Sequence, residues 1–242
     1  MMMSILQVEK LCKTYQKQTV LNQISFSLNS GEYFGLIGVN GAGKTTLLKS
    51  ILDFCHIDAG YIAINHQTHT HPTARQSVAF LPEQFMPPWF LTGQSFLQHI
   101  SQLRDTLYQK DHISTLCQYL DFPDEFLTKP IRHYSKGMAQ KLALMSCFLQ
   151  NCQLLILDEP MSGLDPKARA YLKRFLLKQK AEKKTTLFFS AHLLADVEIL
   201  CDRMGILHQG ELRFIGTPAE CCQQFATNNL EQAYLRCIEA DI

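Results

Sequence analysis

Gly38-Val39-Asn40-Gly41-Ala42-Gly43-Lys44-Thr45 is a glycine-rich stretch that ends in a lysine and a hydroxyl. The apolar run Tyr33-Phe34-Gly35-Leu36-Ile37 precedes it, and Thr46-Leu47-Leu48-Lys49-Ser50-Ile51-Leu52, of helical character, follows. Strand, glycine loop and helix in that order are the setting a phosphate-binding loop requires. Glycines let successive backbone N–H groups turn inward around a polyphosphate, and the helix N-terminus adds partial positive charge. Lys44 can reach the β- and γ-phosphates, and the Thr45 hydroxyl can ligate the Mg²⁺ that accompanies them. The candidate nucleotide-binding residues are therefore Gly38, Val39, Asn40, Gly41, Ala42, Gly43, Lys44, Thr45 and Thr46, and the expected ligand is a nucleoside triphosphate.

A second constellation lies downstream. Leu154-Leu155-Ile156-Leu157 runs into Asp158-Glu159. An aspartate at the end of a buried strand suits the Mg²⁺ side of a triphosphate site, which pairs Asp158 with Thr45. Glu159 can hold and activate the water that attacks the γ-phosphate, a general-base role. Between the two, Tyr134-Ser135-Lys136-Gly137-Met138-Ala139-Gln140-Lys141 opens a helix that leads toward the acidic strand end. Ser135 is a natural N-cap and Gly137 exposes backbone N–H groups, so this helix start is a second anion site. One nucleotide can use both helix starts only if the fold brings them together or a second copy supplies one.

The elements that must position these groups are readable from periodicity. Ile5–Val8, Thr19–Leu21, Ile24–Leu28 and Tyr33–Ile37 read as strands, as do Tyr61–Ile64 and Ser77–Leu81. From about residue 92 to 150 helical spacing takes over, in Phe96, Leu97, Ile100, Leu103, Leu107 and again from Lys136 onward. Leu154–Leu157 has the continuous apolar character of a strand buried in a parallel sheet. A helix begins at Pro166, a strand follows at Thr186–Ser190, and a helix runs on to Leu200. Met204–His208 and Glu211–Ile215 read as a closing hairpin, with a helical tail after Pro218. The expected fold is α/β: a mainly parallel phosphate-loop core, an N-terminal antiparallel β subdomain and an inserted helical subdomain. All of it forms one domain over residues 1–242, with the core at 1–91 and 151–217, the helical part at 92–150 and the tail at 218–242.

Composition narrows the partners. A formal net charge of +1 gives no electrostatic reason to expect nucleic acid. No apolar run approaches a membrane span, and Met1-Met2-Met3-Ser4 opens no signal-peptide pattern. The nine cysteines are scattered without a C-x-x-C pair, which fits reduced, mostly buried thiols in the cytosol. His66, His69 and His71 crowd one polar segment; a solvated loop is expected there, with metal binding the alternative.

Taken together, these stretches resemble the ATP-binding subunits of ABC transporters over about Ile5 to Pro218. Gly38–Thr45 is similar to the family's Walker A motif and Leu154–Glu159 to Walker B with its glutamate. Tyr134–Met138 resembles the signature, usually Leu-Ser-Gly-Gly-Gln, Leu81–Gln84 the Q-loop, Ser162–Asp165 the D-loop and Ser190–His192 the H-loop. Tyr15 fits the aromatic that stacks on adenine, although an aromatic near a strand end also suits a core. Val39 stands where proline is usual, Lys136 where glycine is and Met138 where glutamine is. The Lys136 ammonium can strengthen phosphate binding or reach solvent. The Tyr-Ser-Lys-Gly-Met form looks like the variant of subunits that serve exporters.

The resemblance implies ATP and Mg²⁺ as cofactors and a head-to-tail dimer of ATPase subunits, most simply two identical ones. Lys44, Thr45 and Asp158 of one subunit then meet Ser135 and Gly137 of the other. It implies Glu159, His192 and Gln84 as the catalytic group, with Thr45, Gln84 and Asp158 on the metal side and Asp165 at the dimer interface. His192 would bond the γ-phosphate and hold Glu159 in position. The partner would be a transmembrane permease, placing this chain on the cytoplasmic face of the membrane. The apolar segment Gln84-Phe85-Met86-Pro87-Pro88-Trp89-Phe90 either receives a helix of that permease or packs between core and helical subdomain. The rival readings are a soluble ABC ATPase and a non-hydrolysing ATP-gated clamp. The chain lacks the long coiled-coil insertion or second ATPase domain of the first, and Glu159 and His192 argue against the second.

Overall fold

The computed structural model describes residues 4–182 and 185–239. In chain order the strands are β1 (Ser4–Tyr15), β2 (Gln18–Asn29), β3 (Tyr33–Ile37), β4 (Ala59–Ile64), β5 (Gln67–Thr68), β6 (Val78–Leu81), β7 (Leu154–Leu157), β8 (Thr186–Ala191), β9 (Arg203–His208) and β10 (Glu211–Gly216). The helices are α1 (Lys44–Ile51), α2 (Pro72–Gln76), α3 (Gly93–Leu103), α4 (Lys110–Leu120), α5 (Lys136–Phe148), α6 (Pro166–Ala181), α7 (Leu194–Leu200), α8 (Pro218–Gln224) and α9 (Leu230–Glu239).

Two sheets form. β1 and β2 make a long antiparallel hairpin, extended by β4 and β5 in the order β2-β1-β4-β5. The larger sheet has the order β10-β9-β3-β8-β7-β6. The four pairings from β9 to β6 are parallel, and β10 closes the edge antiparallel. Every residue of β3, β7 and β8 is buried, which follows from a sheet covered on both faces.

Side-chain alternation divides those strands between two cores. Phe34, Leu36, Leu154, Ile156 and Phe188 face the antiparallel sheet and α1, where Phe26 stacks on Phe34 at 5.6 Å and meets Phe188 at 5.5 Å. Tyr33, Ile37, Leu155, Leu157, Leu187 and Phe189 face the helices, among them α5 and α6. Each buried Leu, Ile or Phe contributes about 1.5–3 kcal/mol. The sandwiched sheet thereby becomes a rigid base for whatever its strand ends carry.

What those ends carry follows from register. β8 lies between β3 and β7, pairing Ile37 with Ala191 and Leu157 with Phe189. The glycine loop after β3, the acids after β7 and His192 after β8 therefore emerge side by side at one sheet edge. Ligands of open parallel sheets bind beyond such carboxyl ends. Residues 93–148 supply α3, α4 and α5 with short 3₁₀ turns at Asp124–Thr128 and Ile131–His133, and no named strand lies among them. No helix among the described residues is long and apolar enough to cross a membrane.

The histidine-rich segment departs from expectation. It forms β5 and α2, and His69 is buried, its Nδ1 3.2 Å from the Ile62 carbonyl, to which its backbone N–H also donates. The backbone pairing of β5 with β4 draws this imidazole in against its polar character. Among the described residues no three His, Cys, Asp or Glu side chains are grouped to hold a metal. All nine cysteines are free thiols.

Candidate functional site

The glycine loop packs too tightly to tolerate side chains at two points. A Cβ on Gly38 would lie 2.4 Å from the Leu207 carbonyl of β9. Gly43, at φ +110°, would place one 2.9 Å from the Val20 carbonyl, in backbone space that side chains rarely adopt. Gly43 is also the N-cap of α1, and no side chain caps that helix. Its first-turn N–H groups are thus left for an external acceptor. They border a cavity of about 560 Å³ whose lining includes Val39, Asn40, Gly41, Gly43, Lys44, Thr45 and Thr46. The remaining lining is Val20, Glu83, Asp158, Glu159, Ser162 and His192.

The polar groups at the floor are cross-linked. Lys44 Nζ donates to the Gly38 carbonyl at 2.7 Å. The Thr45 hydroxyl donates to Asp158 Oδ2 at 3.0 Å, and the Ser190 hydroxyl donates to Asp158 Oδ1 at 2.5 Å. Asp158 is buried, so both carboxylate oxygens have protein partners where water is scarce. Glu159 adopts φ +49°, a left-handed conformation that costs a non-glycine residue about 1–2 kcal/mol. Its N–H is held by Ser190 Oγ at 2.8 Å, its Oε2 lies 2.6 Å from His192 Nδ1, and its Oε1 lies 3.7 Å from Lys44 Nζ. A strained residue fixed from several sides is a common mark of a functional position.

A triphosphate and a hard cation fit this cavity. The loop offers backbone donors, close approach and one ammonium, and Thr45 with Asp158 offers adjacent oxygen donors of the kind Mg²⁺ takes.

The sequence candidates fall into three groups. Gly38 to Thr46, Asp158, Glu159 and His192 come together, with Gly38 and Ala42 buried beneath the loop. Ser135, Gly137 and Asp165 do not line the cavity. Ser135 Oγ accepts the Met138 N–H at the start of α5, and a Cβ on Gly137 would sit 3.2 Å from the Gly163 carbonyl. The Lys136 stem crosses Gly163. Asp165 caps α6 by accepting the Ala168 N–H at 2.9 Å, a bond that holds its carboxyl below the usual range. These three make a second cluster.

Tyr15 and Gln84 stand apart from both. Tyr15 is exposed at the end of β1 with the Lys13 ammonium 4.9 Å above its ring, while Val20 of β2 lines the cavity. Gln84 is exposed, and its neighbour Glu83 lines the cavity in its stead. Ser190 received no role from sequence, yet it touches both acids. Its signal was present: a serine within Leu187-Phe188-Phe189-Ser190-Ala191, otherwise apolar and wholly buried.

Known proteins resemble this chain in sequence and in fold. Residues 21–162 match the family described as ABC transporter. An uncharacterized ABC transporter ATP-binding protein of Synechocystis is 38% identical over 85% of this chain and 58% of its own length. The linearmycin resistance ATP-binding protein LnrL of Bacillus subtilis is 32% identical over 94% of this chain and 74% of its own length. The chain thus spans less than two thirds of the first of these relatives. A solved ATP-binding subunit of an ABC transporter superposes with a TM-score of 0.88 at 32% identity, covering 96% of this chain and 99% of that one. An ATP-binding cassette solved as a dimer in a post-hydrolysis state with ADP and Pi shares the fold, at a TM-score of 0.79 and 18% identity, over 88% of this chain and 98% of its own. The chain belongs to the ABC transporter family of ATP-binding proteins.

Proposed function

We propose that this chain hydrolyses Mg²⁺-ATP at the cavity above Lys44 and uses the cycle to drive export through a separate membrane permease. The observation that carries the reading is Glu159 fixed between His192 and Lys44, beside the Thr45–Asp158 pair. Glu159 orients the attacking water and accepts its proton, and His192 holds that carboxylate and donates toward the γ-phosphate. Lys44 and the loop N–H groups bind the β- and γ-phosphates. Thr45 and Asp158 would hold Mg²⁺, which when bound offsets phosphate charge. Gln84 links the cavity, which Glu83 borders, to the apolar loop that follows. Tyr15 supplies the adenine side.

Ser135, Gly137 and Asp165 lie outside the cavity in one cluster, which supports a second copy of the chain as the partner that closes over the nucleotide. The dimer solved for a protein of the same fold is consistent with that arrangement.

A permease is supported by exposed apolar surface beside the helical part. A groove of about 510 Å³ is lined by Leu52, Phe54, Phe80, Ile100 and Leu103, among others, and Phe54 and Leu103 are exposed. In the nearby loop Phe85 packs on Phe96 at 5.8 Å, while Met86, Trp89 and Phe90 face outward. Such a surface suits an amphipathic helix of a membrane-embedded partner, which would hold this chain at the cytoplasmic face. Export is supported by the resistance role in LnrL's name and by the Tyr134–Met138 sequence.

Isolation of the chain from detergent-solubilised membranes tests the whole reading. A membrane-spanning protein should co-purify and alter the ATPase rate. A chain found wholly in the soluble fraction, alone and with an unaltered rate, refutes the transport part.

A further inference from the structure

Ser190 occupies the first position of β8 beyond its last pairing with β7, where Phe189 faces Leu157. That register sets it directly beside Asp158 and Glu159, with no exposed surface of its own. Its hydroxyl donates to Asp158 Oδ1 at 2.5 Å and accepts the Glu159 N–H at 2.8 Å. One oxygen atom therefore ties the metal-side carboxylate to the backbone of the adjacent acid.

We propose that Ser190 is a positioning residue for ATP hydrolysis, acting on both acids at once; the inference rests on the roles given to Asp158 and Glu159 above. With Oδ2 engaged by Thr45 and Oδ1 by Ser190, the Asp158 carboxylate is fixed in plane and direction. A carboxylate held by two hydroxyls presents its remaining lone pairs in fixed directions, as residues behind a metal ligand commonly ensure.

The second effect is on Glu159. Ser190 Oγ accepts the Glu159 N–H and so anchors the Asp158–Glu159 peptide plane, from which the φ of +49° at Glu159 sets the course of its side chain. The hydroxyl thus helps hold the backbone conformation from which the Glu159 side chain reaches His192 and Lys44. Water can hardly replace the hydroxyl, because the site is sealed beneath Asp158. An alanine there leaves an acceptor and a donor unpaired in a buried place.

The test compares Ser190→Ala, Ser190→Cys and Ser190→Thr with the parent. Steady-state ATPase gives kcat and the Mg²⁺ concentration for half-activation. Electron paramagnetic resonance gives Mn²⁺ affinity with a non-hydrolysable ATP analogue, and a fluorescent ATP analogue gives metal-free nucleotide binding. Ser190→Ala and Ser190→Cys should lower kcat and weaken Mn²⁺ binding by about 10–100-fold, the range for residues that orient metal ligands. Metal-free nucleotide binding should stay at the parental value, and Ser190→Thr, which retains the hydroxyl, should restore both losses.

Parental kcat and Mn²⁺ affinity in Ser190→Ala would overturn the inference. Equal losses in all three variants would overturn it too, since packing alone would then account for them. Should Ser190→Ala fail to fold, the Thr and Cys variants carry the comparison: an impaired Cys variant beside a parental Thr variant supports the inference, and two parental variants refute it. Glu159→Gln in the same assay separates the two levels. Parental turnover in Glu159→Gln refutes the reading of the site itself, whereas its loss beside an unaffected Ser190→Ala refutes only Ser190.

Discussion

The Glu159 carboxylate bridges two nitrogen groups from different parts of the chain, His192 Nδ1 at 2.6 Å and Lys44 Nζ at 3.7 Å. The three residues reach one another only because β8 inserts between β3 and β7. Removing the charge while keeping the shape isolates what the carboxylate does. In Glu159→Gln an amide replaces the base, so turnover should fall about 10²–10⁴-fold, the usual span for a general base. ATP should still bind. The variant should therefore accumulate as an ATP-bound dimer, seen by size-exclusion chromatography with ATP. Turnover at the parental rate would show that Glu159 is not the base.

Lys44 supplies the ammonium among the residues lining the cavity, which also include three carboxylates, Glu83, Asp158 and Glu159. Its Nζ is already aimed along the loop by the Gly38 carbonyl. In Lys44→Ala a triphosphate would face these acids without the ammonium to offset them. Isothermal titration should register at least about a 10–100-fold loss of ATP affinity, equivalent to one charge-assisted hydrogen bond of roughly 1.5–3 kcal/mol. Lys44→Arg should not rescue it, because a planar guanidinium does not fit a slot shaped for a point charge. Parental affinity in the alanine variant would contradict the assignment.

Much of the frame was legible because local patterns and burial coincide. The run Leu154–Leu157 is wholly buried, and Thr92, Ser135, Asp165 and Thr217 each cap a helix with a side-chain oxygen, as their residue types suggest. Strand order was not legible, since nothing local states that β8 lies between β3 and β7. The role of Ser190 follows from that order and was missed with it. β5 and α2 escaped notice because two and five residues are too short to show a period. The side-chain directions of Gln84 and Tyr15 depend on loop and strand-end geometry that residue type does not fix.

His69 makes part of the stability dependent on pH. Burial pushes its imidazole below the ordinary value near 6.5, outweighing the Ile62 carbonyl and the nearby Asp53, which act the other way. The unfolded chain then binds a proton at about pH 6.5 that the folded chain resists. Stability from this group is complete above that value and declines as pH falls below it, until the folded imidazole also protonates. The thermal midpoint of the parent should drop more between pH 7 and pH 5 than that of His69→Gln, whatever their absolute values. Parallel profiles would remove His69 as the cause.

The thiols should react in an order set by burial. Burial pushes Cys117, Cys147 and Cys221 up to about 12 and Cys237 to about 11, and raises Cys152 and Cys201 as well. A thiol at about 12 is roughly one part in 10⁴ thiolate at pH 8, and only the thiolate is a good nucleophile. Cys12, Cys55 and Cys222 are partly accessible. Cys222 sits on α8 beside the buried Cys221, so the two neighbours provide an internal control. Native protein treated with iodoacetamide at pH 8 should carry label at Cys12, Cys55 and Cys222 well before the six buried positions, as read by peptide mass spectrometry. Denaturant should bring all nine to similar rates. Early labelling of Cys147 or Cys221 in native protein would mean that the core around α5 or α8 opens on the reaction's timescale, and the assigned packing there would be wrong.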